Sequence, residues 1–80
     1  MTTLERIQAI LRDVLNEPGL EITRDSSAQT VRGWDSLAHV DILWNVEQEF
    51  KVRFPLGEIQ NLKNVGELVD LVDRKVAAKG

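Results

Sequence analysis

The sequence contains no cysteine. No disulfide can staple the fold, and no thiolate metal site is possible. Aromatic residues are scarce, at 5%, so the core must come from aliphatic side chains helped by Phe50, Phe54 and Trp34. No apolar run approaches the roughly 20 residues that cross a bilayer, so membrane insertion is not expected. The start, Met1-Thr2-Thr3-Leu4-Glu5, offers neither the basic region nor the apolar stretch of a secretory signal, which makes the cytoplasm the expected location. Positive charge is not in excess: the net charge of −3 argues against a nucleic-acid partner. Between Asp35 and Phe50 there is no Lys or Arg at all, while Asp35, Asp41, Glu47 and Glu49 are present. A basic partner surface would be steered toward that segment. The 80 residues read as one domain, 1–80, whose stability should be modest, about 4–12 kcal/mol.

What is present is helical periodicity. Thr2 and Glu5 fit a capping box at the start of a first helix. Leu4, Ile7, Leu11, Val14 and Leu15 share one face, Ile10 flanks it, and Glu5, Arg6, Gln8, Arg12 and Asp13 stay outside. The helix should stop near Asn16, because Pro18-Gly19 cannot continue it. From Glu17 to Trp34 no period is sustained, which predicts a long loop pinned to the core by Leu20, Ile22 and Val31. Asp25-Ser26-Ser27 suits a local turn there. A second helix is predicted from Asp35 or Ser36 to Glu49 or Phe50, with Asp35 as its cap. Lys51 to Phe54 alternates, yet Pro55 follows and no partner strand exists, so it reads as an extended connector. A short third helix over Leu56 to Leu62 would bury Leu56 and Ile59. Asn64 and Glu67 form a box-like start for a fourth helix. Its inward face is Val65, Leu68, Val69, Val72 and Val76, with Leu71 at the edge, and Ala77 to Gly80 should fray. The fold class is all-α: a four-helix bundle of three long helices and one short, with a long loop between the first two.

The second helix differs from the others. At about 100° per residue, Ile42, Leu43, Val46 and Phe50 fall on one side. Leu37, Val40 and Trp44 fall nearly opposite. A surface helix needs only one apolar stripe. The second stripe lies beside Ser36 and is rimmed by Asp41, Glu47 and Gln48, which suits a partner-binding surface. Ser36 itself reads as a helix-start residue. Self-contained catalysis is not expected, because parts of the constellation are missing. The only histidine, His39, lies three residues on and shares its side of the helix with Ile42, Val46 and Phe50. No Gly-rich oxyanion loop is present.

Gly33-Trp34-Asp35-Ser36-Leu37 resembles the Asp-Ser-Leu motif of acyl carrier proteins, with the expected helix before it, a long loop, and an acidic helix ending in Glu49-Phe50. The resemblance covers essentially the whole chain. It implies a four-helix bundle whose serine, Ser36, carries 4′-phosphopantetheine from coenzyme A. A separate Mg²⁺-dependent phosphopantetheinyl transferase would attach the arm. Acyl-loading and acyl-processing enzymes would dock on the second helix, at Leu37, Val40, Asp41, Trp44 and Glu47, while the thiol of the arm holds cargo as a thioester. Asp35 would serve as motif residue and cap. No catalytic residue and no metal site of its own is implied, and a monomer is expected. Being short and beginning with Met1, the chain is expected to be a free-standing carrier.

The sequence departs from the commonest form of that family at Ala38, where an acidic residue often stands, and at His39 and Trp44. These departures point to a specialised lipid, polyketide or related pathway rather than housekeeping fatty-acid synthesis. Two alternatives stay open. One is a peptidyl or aminoacyl carrier, although Trp34 stands where those usually have a second glycine. The other is an unmodified carrier-like scaffold that acts only as a binding subunit.

Overall fold

The computed structural model describes residues 2–60 and 62–79. Four helices follow one another: α1 (Thr3–Val14), α2 (Ser36–Phe50), α3 (Leu56–Ile59) and α4 (Val65–Lys79). Among the described residues there is no strand. The architecture is the predicted small four-helix bundle, three long helices and one short, with α1 packed on both α2 and α4.

The capping box at the start of α1 is formed. Thr2 Oγ1 accepts from the Glu5 amide at 3.1 Å, and Glu5 Oε1 accepts from the Thr2 amide at 2.9 Å. Ile7 and Leu11 carry the helix into the core. The helix ends at Val14 with Leu15 as its cap, slightly before the expected stop near Asn16.

The long loop is tied down from two sides. Ile22 and Val31 are buried and Leu20 is half-buried, as expected of its pins. Side chains assigned to the outside of α1 do further work. Gln8 Oε1 accepts from the Ile22 amide at 2.8 Å, and Arg12 Nε donates to the Leu20 carbonyl at 2.6 Å. On the far side, the amides of Val65 and Gly66 donate to the carbonyls of Ser26 and Arg24, both at 2.8 Å. The loop therefore supplies acceptors for first-turn amides of α4 that no helix can satisfy internally. The approach is close enough that a Cβ on Gly66 would sit 3.0 Å from the Arg24 carbonyl oxygen. Asn64 Oδ1 completes this helix start by accepting from the Glu67 amide at 2.9 Å. Glu67 Oε1 reaches the Lys63 amide instead of that of Asn64, so the predicted box is displaced by one residue.

Helix α2 ends where Lys51 turns left-handed, at φ 55°. Lys79 Nζ donates to the carbonyls of Phe50 and Lys51 at 3.2 and 2.9 Å, placing a cation at the negative end of the helix. The connector is extended as predicted, with Phe54 buried and Val52 half-buried.

Four expectations are corrected. Helix α3 closes at Ile59, one turn long, and Asn61 within its expected span lies outside the described residues. Leu56, the first residue of a single turn after Pro55, is 67% exposed. Val76 is 41% exposed, whereas Leu71 is fully inside. Ala77–Lys79 remain helical, with Gly80 outside the described residues.

Candidate functional site

The site begins with the cap of α2. Asp35 is extended, and its Oδ1 accepts from the Ala38 amide at 2.9 Å while its carbonyl accepts from the His39 amide at 2.8 Å. Gly33, at φ 87°, makes the turn into this cap. Ser36 is the first helical residue and is exposed. The amides of Ser36 and Leu37 head the helix, where intrahelical acceptors do not exist. The first turn carries no acidic side chain. A phosphodiester on Ser36 would meet two N–H groups and the positive end of the dipole, with the neighbouring Asp35 carboxylate already engaged by the Ala38 amide. The residues present fit such a group.

Trp34 and His39 bracket the serine. The indole is buried, and its Nε1–H donates to His39 Nδ1 at 3.1 Å, with the rings stacked at 6.0 Å between centroids and 27° between planes. The bond fixes the tautomer: Nδ1 is bare and the proton is on Nε2. Burial of the half-exposed ring holds its pKa below the usual histidine range. His39 therefore engages Trp34 and gives Ser36 no base. Sequence reasoning placed His39 at the core rim and Trp34 in the core, which the structure bears out, but missed their bond. Periodicity has no term for a contact between a loop residue and the helix that follows it.

The two stripes of α2 are separated as predicted. Ile42, Leu43, Val46 and Phe50 are buried. Leu37, Val40 and Trp44 are 80%, 65% and 58% exposed. The acidic rim differs from expectation. Glu47 is half-buried, and its Oε2 accepts from the Phe54 amide at 2.7 Å, so it holds the connector. Glu49 pairs with Arg6 at 2.8 Å, and that guanidinium lies 4.2 Å over the Phe50 ring. Asp41 remains exposed beside the outward stripe.

The loop, the first turn of α2 and the approach to α4 line a partly open cavity of about 50 Å³. Ser27, Trp34, His39, Leu62, Lys63 and Asn64 form most of its wall. Among the described residues no cluster of side chains could hold a metal ion, and none of the helices is long and apolar enough to cross a membrane.

Known proteins agree with this geometry. The family model described as a phosphopantetheine attachment site matches residues 5–72. An acyl carrier protein of Porphyromonas gingivalis is 31% identical over 72 residues, covering 90% of this chain and 92% of its own. One from Thermosynechococcus vestitus is 33% identical over 75 residues, covering 94% and 93%. The solution structure of a holo acyl carrier protein from Geobacter metallireducens is 44% identical and superposes with a TM-score of 0.90, covering 99% of this chain and 91% of that one. With a family model spanning most of its length and named relatives matched nearly end to end, the chain belongs to the acyl carrier protein family.

Proposed function

We propose that Ser36 is the residue that receives the 4′-phosphopantetheine arm, and that the chain is a cargo holder worked on by other enzymes rather than an enzyme itself. One observation carries the assignment: an exposed serine stands at the head of α2, capped by Asp35, among first-turn amides that have no intrahelical acceptor. Its hydroxyl needs access, not activation. A transferase would supply the base that takes the proton and the Mg²⁺ that steadies the diphosphate of coenzyme A. The arm brings a terminal thiol on which an acyl group rides as a thioester. The chain contributes the exposed hydroxyl, a helix end that tolerates the new negative charge, and a surface for docking.

That surface is Leu37, Val40 and Trp44, with Asp41 at its edge. Three large apolar side chains stand in one line over about two turns of helix next to the modified residue. A tryptophan so placed suits an anchor that a partner pocket desolvates. Glu47 is left out of the surface because the connector occupies its carboxylate. His39 and Trp44 differ from the commonest family pattern and support a place in a specialised lipid, polyketide or related pathway.

Intact mass tests the assignment. Incubation with coenzyme A, Mg²⁺ and a broad-specificity transferase is expected to add a single phosphopantetheine. Ser36→Ala is expected to abolish the gain completely without changing the melting curve. Retention of the added mass in that variant would move the arm elsewhere.

A further inference from the structure

We propose that Trp34 and His39 are positioning residues for arm attachment: the bond between their rings holds Ser36 at a fixed place on the head of α2, where a docked transferase reaches its hydroxyl. This rests on attachment at Ser36, and it adds two residues outside the docking stripe.

His39 is bonded twice to the chain on the other side of the serine. Its amide donates to the Asp35 carbonyl at 2.8 Å, and its Nδ1 accepts from the Trp34 indole at 3.1 Å. The first bond closes a helical turn, as at the start of any helix. The second does not belong to the helix. It carries the closure back past the cap, to the residue that follows the left-handed turn at Gly33. Ser36 lies between the two ends of that closure.

Little else directs this part of the chain. From Ser27 to Trp34 the other hydrogen bonds of the described residues stay within the loop. The Thr30 and Val31 amides donate to the Ser27 carbonyl at 3.0 and 2.9 Å, and the Trp34 amide donates to the Val31 carbonyl at 3.3 Å. Among the described residues, the Trp34–His39 bond is the one that ties this stretch to a helix. Its remaining anchors are the buried Val31 side chain and the indole itself. Apolar contact is non-directional, whereas a hydrogen bond fixes distance and angle. A buried N–H that loses its acceptor is also strongly disfavoured. Loss of the His39 acceptor therefore drives the indole toward water, and Gly33 and Asp35 move with it.

The reaction is sensitive to such a shift. Ser36 Oγ bonds to the pantetheine-side phosphorus of coenzyme A. The link from that phosphorus to the adenosine-side phosphate breaks, and the hydroxyl proton passes to the transferase's base. A misplacement of about 1 Å can cost about 10²-fold in rate. Leu37, Val40 and Trp44 lie on the exposed face of α2, away from the ring pair, so docking survives while the position of the hydroxyl changes.

The test is the kinetics of arm attachment to the full-length chain by a broad-specificity transferase with coenzyme A and Mg²⁺, at about pH 8, where the imidazole is neutral. His39→Leu and His39→Asn share their branching at Cγ, but only Asn sets an acceptor oxygen where Nδ1 stands. His39→Leu is expected to lower kcat about five- to tenfold and to change KM less than about twofold. His39→Asn is expected to restore most of the loss. Trp34→Phe keeps a ring and removes the donor. It is expected to match His39→Leu, with the double variant no slower than either. By NMR, the Trp34 indole N–H signal, read against that of exposed Trp44, is expected to move in His39→Leu and to return in His39→Asn. Melting curves check that each variant is folded at the assay temperature. Unchanged kcat in both His39→Leu and Trp34→Phe, equal losses in the Leu and Asn variants, or losses that multiply in the double variant would overturn the proposal while the native chain still gains its arm at Ser36. A native chain that gains no mass would overturn the attachment reading, and this one with it.

Discussion

The two faces of α2 are built from the same kind of residue and meet opposite fates. Ile42, Leu43, Val46 and Phe50 are buried, whereas Leu37, Val40 and Trp44 stand in solvent. Hydrophobicity alone does not separate them, since Leu37 and Val40 are the same residue types as Leu43 and Val46. Phase does. The inward face is buried against the core, and the outward face is exposed. Burial is thus concentrated on one side of the helix, and the docking surface proposed above lies on the other, with Ser36 at the end they share.

Substitutions can break that division. Ile42→Ala is expected to cost about 2–5 kcal/mol, a large part of the whole stability of so small a domain. A denaturant midpoint that hardly moves would show that the inward face is not what holds the bundle. Trp44→Ala should do the reverse. Stability is expected to stay within about 0.5 kcal/mol, while the rate of arm attachment by a transferase falls about tenfold, with a smaller loss for Leu37→Ala. Normal attachment kinetics in both variants would reduce the outward face to bare exposed surface.

The smallest expected effect concerns His39, at the core rim of the inward face. Burial lowers its pKa in the folded state. Above its unfolded value of about 6.5 the ring is neutral in both states and favours neither. As pH falls through that value the unfolded chain binds the proton first, so folding stability declines until the lower folded pKa is passed. Protonation also sets a hydrogen on Nδ1 against the Trp34 donor. The melting temperature should therefore drop more between about pH 7 and pH 5 in the native chain than in His39→Gln, whose amide oxygen can still accept. Equal drops would clear His39 of the effect.

Where the sequence was legible, a local rule was at work. The caps at Thr2, Asp35 and Asn64 follow from side chains that bond amides three residues on, and the two stripes of α2 follow from helical phase. Leu56 and Val76 were misjudged because phase says which way a side chain points, not whether a neighbour reaches that far. The roles of Gln8, Arg12 and Glu47 were hidden for a different reason. Each bonds backbone 7 to 14 residues away, and nothing in a helical wheel marks a polar side chain that will catch a distant amide or carbonyl. The Trp34–His39 bond, which shapes the cavity, was hidden in the same way.

The joint between the long loop and α4 also sets a clock. The Val65 and Gly66 amides are closed off by the carbonyls of Ser26 and Arg24, residues some forty positions earlier in the chain. Solvent deuterium can reach those two nitrogens only when the loop lifts away. Their exchange would therefore time the loop's excursions separately from global unfolding, which the deeper amides of α1 and α2 would record.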